Sequence, residues 1–418
     1  MTLPAPFLGL LLLAPGVVVQ TPPAPPAPDL KAVGALVANG QLAAAERQLR
    51  RMLGQGGEPA ARELLGLVLT RQGRLEEAER EFQQALLADP GRGETRQHLA
   101  RLYLAQNREA PAVAELRRAA ERGPLERELA LKLAEVEQAQ GRPQEAARQL
   151  RSVVERFASA QALLQLARLQ AGQKDATSAL DSLRRARALA PNSEEVLSAQ
   201  AQVSLAAHAP VPAILALEPL TRMCAGVAQY HYLLGVALMQ AGDVLAAVDP
   251  LERAERLEPN RVHTLVALGL ALNGRKLHAQ AKPYLLRSLE LEPDNLEALA
   301  ALAESEDGLG ELAQAEAHAQ RALQRASGHP TANLVMGMLL LKQERCVEAR
   351  QSLERAVLAD PASPKAHYQL SLALARLGDE AGAHKEVELY REKLKELEER
   401  VKQLRADTGL AGEAGLRP

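Results

Sequence analysis

Apolar residues recur along this chain at spacings of three and four, and glycine or proline breaks many of the runs. The pattern is clearest between Pro59 and Arg92. Leu65 and Gly66 lie in a first apolar stripe, and Gly73 falls where that helix should end. Ala78, Phe82 and Ala85 then share one face of a second helix, and Pro90 closes it. Such spacings place side chains on a common helical face. Small residues at 66 and 78 suit a close approach of two helix backbones. Pro90 has no amide donor and cannot continue a helix. The stretch reads as an αα-hairpin with a hard stop.

The unit repeats. The small residue of the first helix returns as Ala100, Ala134, Ala167, Ala201, Gly235, Gly269, Ala303, Gly337 and Ser371, at intervals of 34 residues with a single 33. The second-helix alanine recurs from Ala45 through Ala78, Ala112, Ala146, Ala179, Ala213, Ala247, Ala281, Ala315 and Ala349 to Ala383. The closing proline returns as Pro124, Pro191, Pro259, Pro293 and Pro361.

With this period and small-residue pattern, the chain from about residue 26 to about residue 397 resembles the tetratricopeptide repeat family. The resemblance implies an all-α fold, a right-handed superhelical α-solenoid of about eleven helix-turn-helix units capped by a long C-terminal helix. The family's first-helix tryptophan is missing throughout, with Leu163, Leu197, Leu265 and Leu299 in its place. Its tyrosine survives as Tyr103, with Leu238, Leu272, Leu340 and Leu374 elsewhere. Both exchanges keep the stripe apolar. The first repeat, up to Glu58, is poor in its first half, as a terminal cap should be.

Two joints depart from the pattern. Residues 210–225 carry prolines in or beside a second helix, and Pro219 is expected to kink or shorten it. At 326–330 the proline is delayed to Pro330. At the far end Val387, Tyr390, Leu394, Leu397, Val401 and Leu404 follow a heptad spacing within residues 387–405. That pattern fits a long capping helix or, alternatively, a coiled-coil seam joining a homodimer. Residues 406–418 read as a flexible tail.

The N-terminus differs in kind. Residues 1–20 hold a charge-free apolar run, too short for a confident membrane span and interrupted by Pro15. They read as a signal peptide, with an uncleaved anchor as the alternative, so the chain is expected to be exported. Residues 21–28 form a Pro/Ala-rich linker.

Charge adds little. Fifty basic and fifty-two acidic side chains nearly cancel, so bulk electrostatics point to neither nucleic acid nor an anionic membrane. No HExxH, phosphate-binding loop or Gly-x-Ser-x-Gly elbow is present. Cys224 and Cys346 are several repeats apart and unsuited to a mutual disulfide. His231 and His263 are too few ligands for a metal. The chain reads as a non-enzyme without cofactor or metal, a scaffold whose partner is a protein or peptide, with a self-associating structural spacer or a substrate-presenting accessory subunit of an envelope-assembly or glycosyltransferase complex as the alternatives.

The resemblance also implies where a partner binds, since outward positions of the first helices line the family's concave surface. In the N-terminal half these are Glu63, Leu67, Gln97, Arg101, Leu131, Glu135, Leu164, Arg168, Ser198 and Gln202, mixed and mostly polar. In the C-terminal half they are Tyr232, Val236, Met239, Val266, Leu270, Asn273, Leu334, Met338, Leu341, Tyr368 and Leu372. Ala300, Glu304 and Asp307 interrupt them. An apolar run of this kind marks an interaction surface if exposed and repeat packing if covered.

Overall fold

The computed structural model describes residues 29–409. The leader, the linker and the tail from 410 onward lie outside the described residues. Twenty-two α-helices, numbered α1 to α22 in chain order, follow one another in eleven pairs, with no strand among the described residues. The chain is an all-α solenoid. It divides into two compact units, one up to Arg142 and one from Pro143.

The unit at 59–92 shows how a pair within one unit is built. α3 (Pro59–Arg71) and α4 (Leu75–Ala88) meet where Gly66 faces Phe82. A Cβ on Gly66 would lie 2.6 Å from the Phe82 ring, which is itself fully buried. The device recurs sixteen residues apart at Gly235 with Leu251, Gly269 with Leu285 and Gly337 with Leu353. Glycine permits a bulky residue of the second helix to press against the backbone of the first.

The turn inside every pair needs one left-handed residue. Gly73 (φ 78°) supplies it after α3, and the equivalent positions include Gly242 and Gly310. Asn107, Lys174, His208, Lys276 and Glu344 adopt the same conformation without being glycine. Asparagine tolerates it, whereas the longer side chains carry a local backbone cost.

Pro219 lies inside its helix without shortening it. α12 runs unbroken from Pro210 to Met223. Pro219 leaves the Leu215 carbonyl without an intrahelical donor, and Arg187 of α10 (Ala176–Leu189) fills the gap, its Nη2 donating to Leu215 O at 3.1 Å. The loop at 326–330 is held by a side chain in the same way as two of its equivalents. Asn333 donates to Ser327 O at 2.9 Å, and at the same register His231 bonds Ala225 O (3.0 Å) and His367 bonds Pro361 O (3.1 Å). These side chains pin the loops that enter their three first helices.

Within the second unit the first helices α13 (Ala228–Ala241), α15 (Val262–Gly274), α17 (Leu296–Leu309), α19 (Pro330–Lys342) and α21 (Pro364–Arg376) pack side by side. α22 (Glu380–Thr408) is the long final helix, 29 residues, and ends at Gly409 in the left-handed conformation. It includes Ala406, Asp407 and Thr408, which the sequence assigned to the tail. Its heptad stripe turns inward. Val401 and Leu404 are buried against this chain's own α12 and α13, and Tyr390 packs on Tyr368 with ring centroids 5.3 Å apart. The seam drawn for a second copy is therefore covered intramolecularly at its last turns. Heptad spacing dictates an apolar face; it does not dictate whose helix covers it.

Candidate functional site

Repeating positions on α13, α15, α17, α19 and α21 form three columns. The first holds Tyr232, Val266, Ala300, Leu334 and Tyr368. The second holds Val236, Leu270, Glu304, Met338 and Leu372, and the third holds Met239, Asn273, Asp307 and Leu341. Side-by-side packing of the first helices treats the columns differently. The second remains half-exposed throughout. In the first and third columns Val266, Ala300, Leu334, Asn273, Asp307 and Leu341 are buried, and exposure survives toward the ends, at Tyr232, Met239 and Tyr368.

The eleven candidate positions accordingly separate into three groups. Tyr232, Val236, Met239, Val266 and Leu270 come together around an open cavity of about 540 Å³. Val266 and Ala267 form its buried base, and the half-exposed Tyr232, Val236, Met239 and Leu270 form its walls. Gln240, His263, Asn295 and Glu297 provide a polar rim. Burial raises the Tyr232 phenol above its ordinary pKa, with Arg261 opposing the shift, so the hydroxyl stays protonated.

Asn273 is the second group, and it is not available to a ligand. Its amide nitrogen donates to Ala301 O at 2.7 Å, and its oxygen accepts from Ser305 Oγ at 2.7 Å, with His278 Nδ1 at 3.1 Å. At 4 % exposure it ties α15 to α17. A buried amide must be satisfied, and here neighbouring repeats do it.

The third group, Leu334, Met338, Leu341, Tyr368 and Leu372, does not line the cavity. Leu334 and Leu341 are core residues, with Met338 and Leu372 packed against the same cluster, and Tyr368 faces Tyr390 of α22. The acidic residues between the groups serve the stack. Glu304 pairs with Lys365 at 2.6 Å, and the buried Asp307 pairs with Lys342 at 2.5 Å.

Sequence reasoning missed the rim. His263 and Glu297 belong to one register column with Gln229, a turn before Tyr232 and its equivalents, and Asn295 is the N-cap of α17. A search one turn toward the N-terminal ends of the first helices would have included them. His263 is exposed and His231 is held by its turn carbonyl, so the two are not joined in a site. Both cysteines are free and half-buried. Among the described residues no group of three His, Cys, Asp or Glu could hold a metal ion, and no helix is long and apolar enough to cross a membrane.

Residues 69–136 match one tetratricopeptide repeat pattern, and residues 30–93, 131–194, 213–261 and 334–392 match a second that alone covers more than half of the chain. Among solved structures the chain is similar to yeast Tom70, at 13 % identity over 91 % of this chain and 94 % of that one, with a TM-score of 0.40. It is also similar to a tetratricopeptide repeat protein from Parabacteroides merdae (14 % identity, 59 % and 98 % covered, TM-score 0.46). Cut9–Hcn1 of the APC/C hetero-tetramer is a third (13 %, 90 % and 81 %, TM-score 0.41). No curated protein sequence matches.

Proposed function

The chain belongs to the tetratricopeptide repeat family, and from that premise we propose that it is a non-catalytic scaffold that binds a polypeptide segment along α13 and α15. The carrying observation is the open cavity whose walls are Tyr232, Val236, Met239 and Leu270. Apolar side chains held half-exposed around a concavity bind an apolar anchor by removing both surfaces from water. Met239 adapts its shape, and Tyr232 offers an apolar ring with a polar end. The volume suits one or two side chains of a bound segment rather than a whole helix.

The rim sets orientation. Glu297 favours a basic residue or backbone N–H groups beside the anchor, while Gln240 offers amide hydrogen bonds to an extended backbone. Further contacts along the half-exposed column then add affinity. The reading of residues 1–20 as a signal peptide rather than an uncleaved anchor supports export, and a mature protein whose N-terminal sequence starts within or just after that stretch is its direct readout, whereas an intact Met1 contradicts cleavage.

Replacing Val236 and Leu270 together with glutamate tests the reading. Proteins co-purifying with the wild-type chain are lost from the variant, while helical ellipticity stays unchanged. Undiminished capture overturns the cavity as the binding site. Mass measurement over a range of concentrations separates a bound partner from a second copy of the chain.

A further inference from the structure

The last turns of α22 seat in a second hollow, separate from the cavity. Gly242, at φ 90° between α13 and α14 (Val244–Leu257), forms its floor. Leu397 fills the space above it, so closely that a Cβ on Gly242 would lie 2.4 Å from Leu397 Cδ1, and Val401 packs beside it. Val401 and Leu404 are 3 % and 1 % exposed, and Leu404 joins the core cluster containing Ala213 and Ile214 of α12. Arg405 then makes a two-pronged ion pair with the buried Asp243, Nε to Oδ2 at 2.7 Å and Nη2 to Oδ1 at 3.0 Å. Asp243 also caps α14 through Ala246 N, so its position is fixed independently of Arg405.

The approach to this anchor is bare. Between Arg391 and Arg400 the helix is mostly exposed, and its ion pairs, Lys393 with Glu392 and Glu396 and Lys395 with Glu399, are internal to α22. The terminal turns therefore hold by four side chains at i, i+4, i+7 and i+8. That is how an amphipathic helix docks in a groove, with a bidentate arginine fixing its register.

We infer that the hollow at Gly242, Asp243 and α12 is a helix-docking site, occupied in cis by α22 and open in trans to another polypeptide's amphipathic helix carrying Leu, Val, Leu and Arg at that spacing. Tethering gives α22 an effective concentration on the order of millimolar, so the free helix competes poorly until α22 is released. The C-terminal helix is thus an intramolecular competitor at the site.

The test uses the full chain and a labelled peptide with the sequence of residues 391–409. Leu404→Asp with Arg405→Glu empties the hollow, and fluorescence anisotropy should show this variant binding the peptide about 100-fold more tightly than the wild type. Adding Asp243→Asn, which keeps the cap, should weaken that binding, and a peptide carrying the two anchor changes should stay unbound. Equal binding by wild type and emptied chain, equal binding of the altered peptide, or no binding to an emptied chain of wild-type helicity each overturns the site. Loss of fold in the emptied chain overturns it too, because the hollow would then be core. The milder Arg405→Gln gives a second reading. Amide exchange in residues 397–408 should accelerate while α21 is unaffected, and unchanged exchange contradicts a separable docking helix.

Discussion

One register position serves two purposes in the two units. In the first unit it is Glu63, Gln97 and the buried Leu131, and the two polar side chains show one use of it. Glu63, 7 % exposed, accepts from Arg92 Nη2 at 2.6 Å and Thr95 Oγ1 at 2.7 Å, and the Gln97 side chain accepts from Glu126 N at 2.8 Å. Each polar side chain is used up in fastening its repeat to the start of the next. In the second unit the same position is Tyr232 and Val266, which have no such polar obligations and line a cavity instead. The position seals one repeat against its successor. A polar seal is satisfied internally, whereas an apolar seal that leaves a concavity open retains surface to offer a partner.

The comparison can be broken in several ways. The largest effect is on capture. Val236→Glu with Leu270→Glu should weaken partner binding about 100-fold, ~2.8 kcal/mol, without changing helicity. Glu63→Ala should leave binding untouched. Next comes packing within a pair. Gly269→Val should destabilise the second unit by about 2 kcal/mol, since even a Cβ there would lie 2.5 Å from Leu285, and a denaturant titration reads the change. Glu63→Ala should lower the stability of the first unit by about 1–2 kcal/mol, reduced because Arg92 is partly solvated.

A smaller effect is the pH dependence, to which each unit contributes a histidine. Burial pushes His98 and His278 below the ordinary imidazole pKa. The folded chain then binds fewer protons than the unfolded one below about pH 6.5, so stability is fully present above that value and falls as the pH drops toward the folded pKa. Melting temperature measured from pH 7.5 to pH 5.5 should decline, and His98→Gln and His278→Gln should each flatten the decline. The smallest expected change is a gain. Lys276→Gly relieves a left-handed lysine (φ 60°) and should stabilise the second unit by about 0.5 kcal/mol after the entropy cost of glycine.

The repeat was legible because its signals are local. Gly66 opposite Phe82 and the prolines that close second helices, such as Pro90 and Pro191, follow directly from backbone sterics. The turn at Lys276 was not legible, since the fold imposes a left-handed residue where the side chain disfavours one. Pro219 looked disruptive because its remedy, Arg187, lies twenty-eight residues before Leu215 on another helix. For the site, spacing placed Tyr232, Val236, Met239, Val266 and Leu270 on the right helices. It could not separate them from Leu334 or Leu341, because burial there depends on how closely the neighbouring first helix packs. Asn273 read as a free amide and proved to be a bridge between repeats. The stripe on α22 was visible, but its cover, Gly242 and Asp243, is a tertiary fact.

The decisive contrast is that Tyr232, where the register position is apolar and borders the open cavity, faces a partner and the polar Gln97 does not. A photo-crosslinking aromatic amino acid in place of Tyr232, compared with the same residue in place of Gln97, tests this most directly. The account predicts a crosslinked adduct with a second polypeptide from position 232 and none from position 97, in chains of equal helicity. Adducts of equal yield from both positions, or from position 97 alone, would contradict it.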